Sequence, residues 1–214
     1  MPLRNRVTPF GDLVAEPARG LLLGNRGGRF HDPAMRALRT RRWASKQWIC
    51  CVLDFKGRHR QVWQTGYTEL FFLDEVTALA VGHRPCCECR RTAARGFQAA
   101  LAAAGEPGLS LAEIDAQLHA ERLDGRGKRL HQAAAESLPD GAMMARGGEA
   151  FAVRGGAVLP WSLAGYGAPR PRPSGEVDVL TPPLIVAALR GGYAPLWHPT
   201  APPILRFHDI HNPA

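Results

Sequence analysis

Three of the five cysteines in this sequence fall within four positions, in the run HRPCCECRR. Cys86, Cys87 and Cys89 cannot all pair with one another, and the total number of cysteines is odd. Reduced thiols or metal ligands therefore fit this pattern better than a disulfide framework does. Cys86 and Cys89 form a Cys-x2-Cys pair, the spacing that lets two thiolates face one tetrahedral zinc ion. This pair supplies half of such a site.

The other half of a zinc site must come from elsewhere in the chain. The candidates are Cys51 or Cys50, Cys87, His59 and His83. Side chains alternate between the two faces of a strand, so Cys50 and Cys51 point in opposite directions and only one of them can enter a given site. The predicted zinc ligands are Cys51, Cys86, Cys89 and His59.

The same cysteines have two other interpretations. Cys86 or Cys87, at a helix start flanked by arginines, could be a catalytic nucleophile, because the helix dipole and nearby cations favour the thiolate. His83 or His59 would then act as the base. Alternatively, the cysteines are inert residues of a buried core.

The formal net charge of +8 is concentrated in one part of the chain. Residues 1–95 carry 17 basic and 8 acidic groups, whereas residues 96–139 carry 4 and 6, and residues 140–214 carry 6 and 5. A GC-rich coding sequence would raise the arginine content without segregating it. A localised basic surface is typical of a protein with a polyanion partner, since neutralising phosphates releases condensed counterions.

The length of 214 residues and the composition, 45% hydrophobic and 21% charged, are those of a globular protein with one large domain or one domain with an appendage. The 23 glycines and 18 prolines predict many turns and short elements. No apolar run approaches the roughly 18 residues of a membrane span, and the N-terminus lacks the pattern of a secretory signal. We therefore expect no membrane partner and a cytoplasmic location.

The pattern of apolar and turn residues predicts the following elements. Residues 1–33 are expected to form an irregular or short-stranded arm, and residues 47–55 and 58–63 a hairpin. A short strand in TELFF leads to a helix over Leu73 to Val81, and a second helix runs from the cysteines to Ala104. Ser110 opens a third helix with a capping box. An antiparallel meander within residues 138–180 and a last helix after paired prolines complete the chain.

Residues 69–91, ELFFLDEVTALAVGHRPCCECRR, resemble the second half of the Ada-type zinc module of bacterial alkylation-repair proteins, which is also appended to some nucleases. In that family a short strand, a helix, a Gly-aromatic-Arg-Pro turn and a Cys-x2-Cys pair follow in this order. The resemblance extends over 43–91 if the predicted hairpin is included. It implies a small α/β zinc fold that contacts DNA phosphates, with Cys86 and Cys89 as the second ligand pair.

The sequence departs from that family at the first ligand pair. This pair would fall near Phe55 and His59, where there is no cysteine. Either the site is rebuilt from Cys51, Cys86, Cys89 and a histidine, or the metal has been lost. The methyl-accepting thiolate of the family belongs to the missing pair, so the resemblance does not extend to that chemistry.

Together these patterns predict an α+β protein in three parts. These are a basic hairpin-helix lobe with the Cys-x2-Cys knuckle (1–104), a helical bridge (105–137) and a smaller lobe with an antiparallel meander and a C-terminal helix (138–214). The predicted function is binding of nucleic acid, DNA before RNA, through phosphate contacts, and only the resemblance implies a link to DNA repair. The predicted phosphate-binding residues are Arg26, Arg29, Arg39, Arg41, Arg42, Lys46, Arg58, Arg60, Arg84, Arg90 and Arg91.

Two other classes of function stay open. A nucleic-acid-processing enzyme would use a cysteine thiolate or the carboxylates around His119 and His131. A metal-stabilised interaction module would instead present the basic arm to an acidic protein. The oligomeric state is not predicted.

Overall fold

The computed structural model describes residues 2–58, 61–106 and 108–203 and shows the predicted α+β class. The described residues form four α-helices, a single 3₁₀ turn and 17 short strands. The helices are α1 (Glu75–Ala80), α2 (Arg91–Ala103), α3 (Leu111–Arg122) and α4 (Pro183–Arg190).

The first part of the chain builds a six-stranded mixed sheet. The strands of this part are β1 (Arg4–Val7), β2 (Leu13–Ala15), β3 (Leu22–Arg26), β4 (His31–Asp32), β5 (Ala37–Leu38), β6 (Trp48–Val52), β7 (Leu70–Phe72) and β8 (Arg84–Pro85). Their order in the sheet is β2-β1-β7-β3-β6-β8, and β4 and β5 form a separate pair. The arm predicted over residues 1–33 thus supplies three strands of the sheet, and β3 is buried along its whole length.

The predicted hairpin is wrong, although its first strand exists. Strand β6 pairs antiparallel with β3 on one side and parallel with β8 on the other. Both edges of β6 are therefore taken by strands distant in sequence, and the described residues 61–69 contain no strand. Residues 59 and 60, in the other half of the predicted hairpin, lie outside the described residues.

Helix α1 lies inside the predicted range Leu73 to Val81 but is shorter at both ends, because Asp74 caps its start and Val81 its end. Asp74 caps its N-terminus by accepting a hydrogen bond from the backbone N–H of Thr77 at 2.9 Å. Gly82 follows the helix with φ +78°, a conformation that favours glycine. A Cβ atom on Gly82 would also lie 2.7 Å from Cδ of Arg122, so the glycine makes room for that side chain.

The other three helices also match their sequence signals. Helix α2 follows the cysteine run, and its buried residues recur at helical spacing. Helix α3 has the predicted capping box, in which Ser110 and Glu113 exchange hydrogen bonds. Helix α4 starts directly after Pro182, because proline suits the first turn of a helix.

The second large sheet is the predicted meander with additions. The strands of this part are β9 (Leu123–Asp124), β10 (Gly127–Lys128), β11 (His131–Ala134), β12 (Met143–Arg146), β13 (Glu149–Arg154), β14 (Ala157–Ser162), β15 (Gly165–Tyr166), β16 (Arg170–Pro171) and β17 (Glu176–Val179). Strands β12, β13 and β14 form the meander, and β17 lies between β11 and β12. Strand β11, from the predicted bridge, is thus part of this sheet, while β9 and β10 form their own hairpin.

The main hydrophobic core draws on all three predicted parts of the chain. It joins Leu79 and Phe97 from the first part, Ile114 from the bridge, and Met144 and Val179 from the meander sheet. The division at residues 104 and 137 stays a prediction, since a shared core neither requires nor excludes it.

Two buried carboxylates at the start of α1 hold the C-terminal segment in place. Glu75 accepts hydrogen bonds from the Tyr193 hydroxyl at 2.6 Å and from the Leu196 N–H at 2.9 Å. Asp74 accepts from the Tyr166 hydroxyl at 2.9 Å and from the His198 N–H at 3.0 Å. The first turn of α1 therefore connects the first sheet to the end of the described chain.

Candidate metal centre and basic cleft

Three of the predicted zinc ligands come together in the structure. The sulfur atoms of Cys51, Cys86 and Cys89 all lie within 4.8 Å of one another. Strand β6 supplies Cys51, and the turn between β8 and α2 supplies the other two thiols. A hydrogen bond of 2.9 Å from the Cys86 N–H to the Cys50 carbonyl fixes this turn against β6. Pairing of β6 with β8 is thus what brings the distant cysteines together.

The three thiols differ in how readily they lose a proton. The Cys51 thiol donates a hydrogen bond to Cys86, and this bond, with backbone N–H groups of Cys89 and Glu88, lowers the pKa of Cys86 to about 5. The same hydrogen bond, followed by burial, raises the pKa of Cys51. Burial is the main cause that raises the pKa of Cys89. Of the three thiols, Cys86 is therefore the one whose surroundings most favour the thiolate.

The cluster could supply three ligands to a metal ion. Among residues 2–58, 61–106 and 108–203, no further histidine, cysteine or carboxylate joins the three sulfurs. His59, the predicted fourth ligand, lies outside the described residues. His83 is not a ligand, because it packs between the rings of Trp48 at 5.0 Å and Phe72 at 4.7 Å.

The remaining two cysteines take other roles. Cys50 is fully buried on the opposite face of β6, as strand alternation predicts, and the Arg90 guanidinium donates to its sulfur at 3.1 Å. Burial raises the pKa of the Cys50 thiol. Cys87 is half-buried and accepts from Arg84 at 3.5 Å. Neither thiol belongs to the three-sulfur cluster.

The histidine and carboxylate set around α3 does not form a site in the described residues. His131 contacts the Glu121 carbonyl at 2.8 Å, while His119 packs against Trp43. Asp115 is paired with Arg84, and Glu113 caps its own helix. These groups therefore stabilise the fold locally and do not converge on a common point.

Two of the predicted phosphate-binding arginines are committed to buried ion pairs. Arg84 lies 2.8 Å from Asp115, and both side chains are about 95% buried. Arg90 makes two hydrogen bonds of 2.6 and 2.7 Å to Glu75, whose side chain is 1% exposed. The structure therefore assigns Arg84 and Arg90 to the interior, because their charges are already neutralised there.

The other predicted phosphate-binding residues fall into two groups. Arg29, Lys46, Arg58 and Arg91 are exposed but lie outside the cavities described below, and Arg58 pairs with Glu88 at 2.9 Å. Arg60 lies outside the described residues. The remaining four residues, Arg26, Arg39, Arg41 and Arg42, line one continuous depression with residues from α3 and the β9–β10 hairpin.

We call this depression the basic cleft. It consists of three adjoining cavities that share Arg42 and Arg126. Two of them form its outer part, which is lined by Arg4, Leu38, Arg39, Thr40, Arg41, Arg42, Trp43 and Arg126. The described lining of the outer part contains no carboxylate. The cleft thus presents a row of cations that can follow a polyanion.

The third cavity, which we call the inner pocket, is the deep end of the cleft. It has a volume of about 320 Å³ and carries Arg26, Arg122 and Lys128 around Trp48. Trp48 is 2% exposed, and the guanidinium carbons of Arg26 and Arg122 lie 4.3 and 3.9 Å from its ring centroid. Asp12 is the one carboxylate in the described lining. Residues 44 and 45 approach the end of β3 closely because Gly27 and Gly28, which follow it, have no Cβ atoms. The preceding residue, Trp43, lies at the rim of the pocket.

The three inner cations are destabilised by their surroundings. Burial, and then repulsion from other arginines, lowers the pKa of Arg26 to about 9 and that of Arg122 to about 9. The same causes lower the pKa of Lys128 to about 7. His83 is buried nearby, and its pKa is lowered well below its usual value by burial and by these cations, so its ring is neutral. The inner pocket therefore concentrates basic groups, which Asp12 and Asp115 offset only in part.

The lowered pKa of Lys128 predicts a pH dependence of stability. Between pH 7 and 10.5 the unfolded chain binds a proton on Lys128 that the folded protein does not bind, so the free energy of unfolding rises with pH. We expect Lys128→Met to remove this component from urea unfolding curves measured across that range. The exposed Lys56→Met variant should keep the wild-type slope. Equal slopes in all three proteins would contradict the prediction.

Sequence analysis missed Arg4, Trp43, Arg122, Arg126 and Lys128 as cleft residues. A signal for three of them was present, because all four basic residues of 96–139 lie between positions 122 and 129. The net negative charge of that segment concealed this local basic cluster. No sequence signal placed it beside residues 39–43, since that contact depends on the packing of α3 and the β9–β10 hairpin against the first sheet.

Comparison with protein-family models, curated proteins and solved structures gives no match to this chain. The resemblance to the Ada-type module therefore stays a prediction. In the part of the chain that the structure describes, no helix has both the length and the apolar character of a membrane span.

Proposed function

We propose that this protein binds nucleic acid, DNA in the first instance, along the basic cleft. The observation that carries the proposal is the continuity of the cleft, in which eight cationic side chains line three adjoining cavities beside one carboxylate. Arginine suits phosphate because its planar guanidinium donates two parallel hydrogen bonds. A nucleic-acid strand carries repeated phosphates, and neutralising them along a row of cations releases condensed counterions.

The charges of the outer cleft are available to a ligand. Of the described ion pairs, only that of Arg39 with Asp32, at 3.8 Å, involves an outer-cleft arginine. Arg41 donates to the Ala44 carbonyl, which leaves its charge uncompensated. An exposed pair such as Arg39–Asp32 contributes little and exchanges readily for a phosphate.

A DNA-binding titration at several salt concentrations tests this proposal. The logarithm of the affinity should fall linearly with the logarithm of the salt concentration, and Arg42→Ala/Arg126→Ala should reduce that slope by about 2. The matched control is Arg170→Ala/Arg190→Ala, which removes two exposed arginines outside the cleft. Absence of salt-sensitive binding, or equal slopes in both double variants, would contradict the proposal. Parallel RNA and acidic-peptide probes identify the alternative partners.

We also propose that the three-sulfur cluster holds zinc. Three thiol sulfurs within 4.8 Å match the preference of zinc for four tetrahedral sulfur and nitrogen ligands. His59 is the proposed fourth ligand. Its neighbour in sequence, Arg58, donates to Glu88 at 2.9 Å, and Glu88 stands between the two cysteines of the knuckle. Zinc would fix the turn between β8 and α2 and carry no chemistry of its own in DNA binding.

The link to DNA repair is a proposal supported by the resemblance of residues 69–91 alone. Neither site described above distinguishes repair from other roles of a DNA-binding protein.

A further inference from the structure

The inner pocket contains buried charge without a buried counter-charge. Arg26 is 3% exposed and Arg122 is 1% exposed, and the Nε atom of each has no hydrogen-bond partner among the described residues. Within residues 2–58, 61–106 and 108–203, neither guanidinium nor the Lys128 ammonium lies within 4.0 Å of a carboxylate oxygen. Buried charges in proteins are normally paired, so these surroundings favour the binding of an anion.

Apart from the His119 ring, whose Nδ1 lies 2.9 Å from Nη2 of Arg122, the hydrogen-bond partners of these two arginines are backbone carbonyls. Arg122 donates to the Gly82 carbonyl at 2.8 Å and to the Lys46 carbonyl at 2.7 Å, and Arg26 donates to the Gly11 carbonyl at 3.1 Å. Carbonyl oxygens hold the side chains in place without neutralising them. The arrangement is therefore pre-organised to receive negative charge.

We infer that the inner pocket binds the terminal phosphomonoester of a nucleic-acid strand that lies in the outer cleft. This inference rests on the proposed function and specifies its substrate. A phosphomonoester carries about −1.5 to −2 charges at neutral pH and three acceptor oxygens, whereas an internal phosphodiester carries one charge. The two buried guanidinium groups favour the dianion, and a bound dianion would in turn keep the Lys128 amine protonated.

The position of the inner pocket also favours a chain end. Its floor is formed by the buried side chains of Arg26, Trp48 and Arg122, and Arg42 and Arg126 at its rim are shared with the outer cleft. A volume of about 320 Å³ is at the lower end of the range for small-molecule sites, so one nucleotide-sized group fits and a duplex does not.

Trp43 is placed to receive the base next to that phosphate. It lines both the inner pocket and the outer cleft, is half-buried, and makes an edge contact with His119 at 5.7 Å. Aromatic side chains stack on any base, which gives affinity without sequence preference. The terminal base would therefore lie on Trp43 while its phosphate reaches Arg26, Arg122 and Lys128.

The test compares one labelled single-stranded oligonucleotide in three forms, with a 5′-phosphate, with a 3′-phosphate and with hydroxyls at both ends. We expect one phosphorylated form to bind at least about tenfold more tightly than the hydroxyl form. Arg122→Gln and Lys128→Met should each weaken binding of the phosphorylated form by a larger factor than binding of the hydroxyl form, and so reduce this preference. The control Arg190→Ala should leave both unchanged. Circular dichroism of each variant checks that it folds.

Each outcome separates the inference from the proposed function. Equal binding of all three forms by the wild type would overturn the terminal-phosphate assignment and leave DNA binding intact. If both inner-pocket variants folded and kept the preference for a phosphorylated end, the inner pocket would not be the binding site of the terminal phosphate. Binding of a nucleoside monophosphate can be followed as a change in tryptophan fluorescence. If the monophosphate bound but no oligonucleotide did, the assignment of a nucleic-acid strand as the ligand would be overturned, and so would the proposed function. No binding of either probe would overturn both proposals.

Discussion

Replacing Cys86 with serine should abolish stoichiometric zinc binding, whereas the wild-type protein should hold one zinc ion per chain. Cys86 is the sulfur that the cluster already favours as a thiolate, and serine cannot replace it as a ligand at neutral pH. Structural zinc sites contribute on the order of 10 kcal/mol to folding in the smallest domains, so the variant should also unfold at a lower temperature. Elemental analysis of untagged protein and thermal unfolding with and without chelator measure both effects.

Cys87→Ser is the matched control for this experiment. Cys87 lies in the same knuckle but outside the three-sulfur cluster, so its variant should retain the metal. Cys51→Ser should behave like Cys86→Ser. His59→Ala should weaken metal binding and alter the visible spectrum of the cobalt-substituted protein, because one ligand is exchanged for water. A wild-type protein without metal, or a Cys86→Ser variant with a full equivalent, would exclude the proposed site.

Replacing Glu75, the carboxylate that neutralises Arg90, should lower the stability of the fold strongly. Glu75→Gln keeps the shape of the side chain but leaves the guanidinium of Arg90 buried without a counter-charge. Breaking a buried pair in this way costs about 3–5 kcal/mol, so the midpoint of urea unfolding should fall sharply. Replacing both partners, as in Glu75→Gln/Arg90→Met, should recover part of the loss because the unpaired charge is removed.

The exposed pair of Glu88 with Arg58 is the comparison for that measurement. Its side chains are 57% and 48% exposed, so Glu88→Gln should cost less than about 1 kcal/mol. If Glu75→Gln cost no more than Glu88→Gln, the network at the start of α1 would not have the stabilising role assigned to it here.

Local features of the fold were predictable from sequence because their causes are local. The cap at Ser110, the glycine after α1 and the opposite orientations of Cys50 and Cys51 follow from spacing within a few residues. The pairing of β6 was not predictable in this way. Its neighbours β3 and β8 are more than twenty residues distant in the chain, and a nearby polar run after Lys56-Gly57 gave a misleading hairpin signal.

For the candidate sites too, sequence predicted local spacing but not contacts between distant residues. The Cys-x2-Cys spacing predicted that Cys86 and Cys89 would lie together, and the choice of Cys51 as a third ligand candidate agrees with the three-sulfur cluster. Counting charges did not show that Asp115 and Glu75 neutralise Arg84 and Arg90, because each partner lies at least fifteen positions away along the chain. For the same reason the inner pocket, which joins β3 to α3, could be recognised only from the fold.

The hydrogen bonds from residues 193–198 to Asp74 and Glu75 bear on how the chain can be dissected. A fragment that ends at residue 104 would retain both carboxylates and lose Tyr166, Tyr193 and two backbone N–H donors. It would also expose the faces of α1 and α2 that the later residues cover. We therefore expect a fragment of residues 1–104 to be less stable than the full chain, because it would leave these two carboxylates with fewer hydrogen-bond donors and part of its apolar surface uncovered.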